Sequence, residues 1–190
     1  MSDFASPPPQ LSGLALLVVD VQEAFSRVMP HMDTFAKRCR FAIQAADLLK
    51  VPVVFTEQVP DKLGKTLPAL TEGKDPRPVF SKTGFSAFAA EGLEEYLKEQ
   101  EIHHLLIAGL ETPVCVYQTV LDALSKDFEV TLLSDAVNAR RADDAHWVLT
   151  SLRSEGVNVL PSETVFYASL ADASHPAFPS FTKLVKSATV

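Results

Sequence analysis

Cysteine, glycine and basic charge are all scarce in this chain, and each shortage removes a class of function. Two cysteines, Cys39 and Cys115, stand far apart among 190 residues, too few and too distant for a disulfide framework or a zinc cluster. A reducing, cytoplasmic compartment is the expectation. Seven glycines leave little for phosphate-cradling loops, and neither GxGxxG nor GxxxxGKS/T occurs. Seventeen Lys and Arg against 24 Asp and Glu give a net charge of -7, so no broad cationic surface awaits nucleic acid or anionic lipid. The longest apolar run, Leu14 to Val19, is far short of the roughly 20 residues that a membrane helix needs. The opening MSDFASPPPQLSG lacks the basic segment and apolar core of a secretory signal, and residues 1–12 read as a flexible tail.

What remains is ordinary globular composition, 47% hydrophobic and 22% charged. The length suits one domain spanning residues 1–190 with a sizeable core.

The apolar pattern alternates between two periods. LALLVVD (Leu14 to Asp20) is a β-branched run of the kind buried on both faces of a sheet. Between Pro30 and Lys50, Phe35, Ala36, Phe41, Ala42, Ala45, Leu48 and Leu49 recur at three- and four-residue steps, which predicts an amphipathic helix. Val51 to Thr56 predicts a second strand. Glu57 to Pro78, punctuated by Pro60, Gly64, Pro68, Gly73 and Pro76, predicts a long loop with one helical turn. Then follow a short strand at Val79 to Lys82, a charged helix at Phe88 to Gln100 and a strand at His103 to Leu110. Further on, a helix at Pro113 to Ser125, a strand at Phe128 to Ala136, a helix at Asp143 to Ser154 and a strand at Val157 to Leu160 are expected, with two short helices after them. Strands alternating with helices imply βαβ crossovers, hence a three-layer α/β fold with a parallel sheet. In such sheets ligands bind beyond the carboxyl ends of the strands.

Cys115 falls just after Pro113, at the start of a helix entered from a buried strand. There, unpaired amides and the macrodipole favour thiolate over thiol. The alternative is a small buried hydrophobe. Cys39, in mid-helix, reads as structural. Asp20 ends the first strand and suits a base, a metal ligand or a helix cap. Lys82 ends the third. An acid, an amine and a thiol at three strand ends can form one cluster, in which the carboxylate takes the thiol proton and the ammonium stabilises the charges. Gln22, Phe25, Glu57, Phe85 and Val114 are the pocket candidates by position. Core packing is the alternative for Phe25 and Phe85, and capping the loop is the alternative for Glu57.

Taken in order, LLVVDVQEAF, VPVVFTEQ, the lysine of FSKTGFSAF, and IAGLETPVCVYQTVLDAL followed by VTLLSDA resemble the isochorismatase-like cysteine hydrolases, which include nicotinamidases and N-carbamoylsarcosine amidase. The resemblance runs from about Leu14 to Ala136. It implies a six-stranded parallel sheet in order 3-2-1-4-5-6 and a homo-oligomer. It further implies a catalytic triad of Asp20, Lys82 and Cys115, with the amides of Glu111 and Cys115 as oxyanion hole and a cis peptide between Leu110 and Glu111. Nicotinamidases also carry an Asp-x-His pair and a further histidine that bind a metal. Here TEQVPDKLG stands in that place, and no histidine lies between His31 and His103. The adjacent His103 and His104 face opposite ways on a strand and read as strand-edge polarity. The expectation is therefore a hydrolase with no metal or other cofactor, cleaving a small amide or related carbonyl compound through a thioester. Two alternatives stand beside it: vinyl-ether hydrolysis of an isochorismate-like substrate with Asp20 protonating carbon, and a non-catalytic binding protein on the same fold. A small-molecule substrate, and neither nucleic acid nor membrane, is the expected partner.

Overall fold

The computed structural model describes residues 11–71 and 76–188. The flexible tail expected at 1–12 thus lies, for residues 1–10, outside the described residues, as do residues 72–75 of the long loop. Six strands, β1 (Leu14–Val19), β2 (Val53–Gln58), β3 (Val79–Lys82), β4 (His104–Leu110), β5 (Glu129–Asn138) and β6 (Asn158–Leu160), form one sheet in the order β3-β2-β1-β4-β5-β6. Every pairing is parallel. The chain is a three-layer α/β structure, and the topology implied by the motifs is the one observed.

Period-two alternation sends β1 into both layers. Leu14, Leu16 and Val18 join the core under helices α2 (Met32–Leu48), α8 (Ser162–Leu170) and α9 (Phe178–Ala188). Ala15, Leu17 and Val19 join the opposite core, under α5 (Leu93–Glu99), α6 (Tyr117–Ser125) and α7 (Ala142–Ser154). A strand buried on both sides has no polar face to show, which is why its sequence is a continuous apolar run. Helix α2 buries Phe35, Cys39, Ala42 and Ala46, four residues on one stripe. Phe41, Phe55, Phe166 and Phe181 are among the largest fully buried side chains, each contributing about 1.5 to 3 kcal/mol by leaving water.

Several boundaries moved from their expected places. β2 runs on through Glu57 and Gln58, so the long loop starts later than its prolines imply. That loop holds two helical turns, α3 (Pro60–Leu63) and α4 (Pro68–Thr71), where one was expected. A short α1 (Glu23–Ser26) follows β1. The helix expected from Phe88 is broken: a 3-10 turn at Ala87–Ala89 precedes α5, and Gly92 between them takes the left-handed φ of 81°. No helix among the described residues is long and apolar enough to cross a membrane.

The strand order reverses between β1 and β4, and their carboxyl ends open the crevice. Gly109 brings these strands together. A Cβ at that position would lie 2.3 Å from the Val19 carbonyl oxygen, so only glycine permits the approach.

Candidate active site

Three strand ends deliver the three side chains singled out above. Asp20 follows β1 directly in left-handed backbone (φ 54°), which Asp and Asn tolerate better than most residues. Lys82 closes β3, two strands away, and its side chain crosses the end of β2 to reach Asp20. Cys115 sits in the turn after β4.

The lysine and the aspartate form a dry ion pair. Lys82 Nζ lies 2.6 Å from Asp20 Oδ2, with side-chain exposures of 0% and 1%. The ammonium also donates to Gln58 Oε1 at 2.8 Å, to the Phe85 carbonyl at 2.8 Å and to the Gly84 carbonyl at 3.2 Å. Asp20 Oδ1 accepts from the Thr56 hydroxyl at 2.8 Å. A buried pair of charges is tolerable only when its remaining hydrogen-bonding capacity is satisfied, and these partners supply that.

The turn carrying Cys115 differs from both expectations for it. Among the described residues every peptide bond is trans, Leu110–Glu111 included, so the implied cis bond is corrected. The reversal is made by Glu111 in left-handed conformation, φ 57° and ψ 61°. The first turn, Thr112–Val116, is π-helical and runs into α6. Nor is the thiol shifted toward thiolate. Burial, the charge of Asp20, a hydrogen bond to Asp20 and the charge of Glu111 together push it up to about 12, against the opposing pull of Lys82. Desolvation by burial is the largest of these causes. Cys115 therefore rests as a neutral thiol beside the Asp20 side chain. Cys39 is fully buried and donates to the Ala136 carbonyl, as a structural residue would.

Cys115 opens onto a cavity of about 310 Å³. Phe25, Phe85 and Val114 line it, and Phe85 is 55% exposed at its mouth. Glu111 and Arg140 line it too, paired at 2.9 Å between Arg140 Nε and Glu111 Oε1. The same pair walls a neighbouring recess of about 430 Å³, which also includes Pro113, Arg141 and Asp144. Asp20 and Lys82 lie behind the thiol and do not line the cavity.

Gln22 and Glu57 are not lining residues either. The Gln22 amide is spent on main chain: Nε2 donates to the Gln58 and Gly64 carbonyls, and Oε1 accepts from the Gln58 amide. Glu57 accepts from the Thr66 amide at 2.7 Å and the Thr66 hydroxyl at 2.9 Å, so it caps the loop. Sequence reasoning missed Gln58, Val59, Lys62, Leu63 and Arg140, which complete the wall. The β2 extension through Gln58 was the signal, since a longer strand turns the residues after it over the crevice. Among the described residues no three His, Cys, Asp or Glu side chains converge on a common metal position.

A family model for the isochorismatase domain matches residues 14–164. The chain belongs to the isochorismatase family. It is 33% identical over 170 residues to isochorismatase domain-containing protein 2 of Xenopus laevis, an alignment covering 90% of this chain and 82% of that protein. Its fold is similar to the solved structure of MAR1 ribonuclease from Caenorhabditis elegans, with a TM-score of 0.88 and 32% identity, covering 94% and 92% of the two chains. It is also similar, in fold alone, to YcaC of Escherichia coli, an octameric hydrolase of unknown specificity, with a TM-score of 0.82 and 20% identity over 95% of each chain. As a member of the isochorismatase family, the protein has a hydrolase fold.

Proposed function

We propose that this protein is a metal-independent cysteine hydrolase that cleaves a small amide or related carbonyl compound through a thioester, acting as a single domain. The observation that carries the reading is the convergence of Cys115, at the wall of a cavity, with the buried Asp20–Lys82 pair behind it. Asp20 takes the proton of Cys115 as the sulfur attacks the carbonyl carbon. The oxygen that gains the negative charge rests on the main-chain amides of Glu111 and Cys115, donors held in place before the reaction begins. Lys82 compensates the buried Asp20 carboxylate at 2.6 Å. Collapse of the tetrahedral adduct breaks the C–N bond, and Asp20 returns its proton to the departing nitrogen. Water then loses a proton to Asp20, attacks the thioester and frees the acid, and the proton goes back to sulfur.

The cavity supports a small substrate with an apolar body against Phe25, Leu63, Phe85 and Val114. Lys62 and Arg140 favour an anionic end. The volume and the net charge of -7 speak for a small molecule over a nucleic-acid chain, although one neighbour bears the name of a ribonuclease. Two free, buried cysteines are in keeping with a reducing cytoplasm. A homo-oligomer is in keeping with Trp147, 69% exposed on α7, and with Leu121 and Leu124 exposed on α6.

Small amides, imides and carbamoyl compounds are the panel for testing the reading, with wild type beside Cys115→Ala. Turnover in the wild type, a thioester adduct in its intact mass and loss of both in a folded Cys115→Ala are expected. Equal turnover by the variant refutes the thiol mechanism, whereas salt-dependent RNA cleavage refutes the small-molecule reading.

A further inference from the structure

Gln58 has no role in the mechanism above, yet every polar atom of it is committed. Its Oε1 accepts from Lys82 Nζ at 2.8 Å, and its Nε2 donates to the Thr83 carbonyl at 2.7 Å. That second bond fixes the amide: the oxygen can face only the ammonium. Its main-chain N–H donates to Gln22 Oε1 at 2.7 Å, and its carbonyl accepts from Gln22 Nε2 at 3.0 Å. Gln22 Nε2 also reaches the Gly64 carbonyl at 2.6 Å, at the residue that ends α3.

The geometry matters because an ammonium has three protons on a flexible stem and no directional preference of its own. Four acceptors surround Lys82 Nζ, and two of them, the Gly84 and Phe85 carbonyls, belong to a loop whose Phe85 is exposed. Asp20 and Gln58 are the two side-chain acceptors; Asp20 is held by Thr56, and Gln58 is held by the Thr83 carbonyl and, through its main chain, by Gln22. Through Gln22 it is tied to α3, whose flanking Val59 and own Lys62 and Leu63 line the cavity. Val59 itself holds left-handed backbone (φ 38°), unusual for a β-branched residue, and its N–H donates to the Lys82 carbonyl at 2.9 Å.

We propose that Gln58 is a positioning residue, which holds the Lys82 ammonium on Asp20 and links that pair to the cavity wall through the Gln22 clamp. The inference rests on the hydrolase reading for its catalytic meaning. Its structural content, the immobilised ammonium, is measurable without any substrate.

The experiment compares the full chain with Gln58→Met, which removes the acceptor, and Gln58→Glu, which keeps an acceptor and adds a charge. In the 15N-lysine-labelled protein, hydrogen exchange of the Lys82 ammonium is expected to be slow in wild type and about tenfold or more faster in Gln58→Met. Alkylation of Cys115 by iodoacetamide at pH 9, followed by intact mass, is expected to slow several-fold in Gln58→Glu, because an added carboxylate beside the ammonium disfavours thiolate. Wild-type exchange in Gln58→Met overturns the proposal. If Gln58→Met does not fold, wild-type alkylation in Gln58→Glu overturns it. Should Cys115→Ala retain turnover, the hydrolase reading falls while the ammonium measurement still judges Gln58.

Discussion

Removing the Lys82 charge and removing the Asp20 charge should not be equivalent, although the two groups form one ion pair. Lys82→Met strips Asp20 of its 2.6 Å partner and leaves a carboxylate 1% exposed with only Thr56 and the Cys115 thiol around it. Breaking a buried pair from one side destabilises a protein by about 3 to 5 kcal/mol, mostly from the stranded charge. Asp20→Asn strands the ammonium instead, but three acceptors stay in place: Gln58 Oε1 and the Gly84 and Phe85 carbonyls. Asparagine also accepts the left-handed backbone at φ 54° without added strain. The Asp20→Asn loss should therefore be the smaller, by about 1.5 to 3 kcal/mol, the worth of a hydrogen bond to a charged group. The double variant Asp20→Asn with Lys82→Met removes both charges and should recover most of the single Lys82→Met loss. Urea unfolding followed by circular dichroism measures all four proteins, with equal slopes required for comparison. Losses below about 1 kcal/mol for Lys82→Met, or a double variant less stable than the sum of the singles, would refute a dry, mutually dependent pair.

Four further outcomes follow from the same structure. Both thiols are raised above their ordinary value, so the folded chain holds its protons more tightly than the unfolded one. Stability is then full below the unfolded thiol value of about 8.5 and declines as pH rises above it, by about 1.4 kcal/mol per pH unit for each thiol; in urea titrations between pH 8 and 10 Cys39→Ala should flatten that slope. His104 is pushed down chiefly by burial, opposed by Glu129, so stability present above about pH 6.5 should be lost as pH falls below it, and in titrations from pH 7 to 5 His104→Gln should remove that part of the decline. Gly109→Ala must displace β1 from β4, because its Cβ meets Val19 backbone at 2.3 and 2.9 Å; a destabilisation of at least about 2 kcal/mol in thermal unfolding is expected, and a neutral result would contradict the close approach. Arg140→Gln releases Glu111 and removes a cation from the cavity wall, so KM for anionic amides should rise about tenfold with kcat little changed, while neutral analogues are unaffected.

The sequence alone determined the layers, the parallel sheet and three strand ends, because each depends on local apolar periodicity: β1 and β4 are buried on both faces and cannot hide it. The positions of Asp20 just after β1, Lys82 at the end of β3 and Cys115 in the turn after β4 were legible from the order of the elements, and Phe25, Phe85 and Val114 lie close to them in the chain. Tertiary structure decided what no local pattern encodes. It spent Gln22 on the Gln58 main chain and Glu57 on Thr66, and it brought Arg140 from the end of β5 to Glu111. It also set the state of the thiol. A helix start favours thiolate, but burial and the neighbouring carboxylate act against it, and both come from strands distant in sequence. Desolvation and charge pairing depend on what surrounds a group in space, so they were settled only when β1, β3 and β4 met at one end of the sheet.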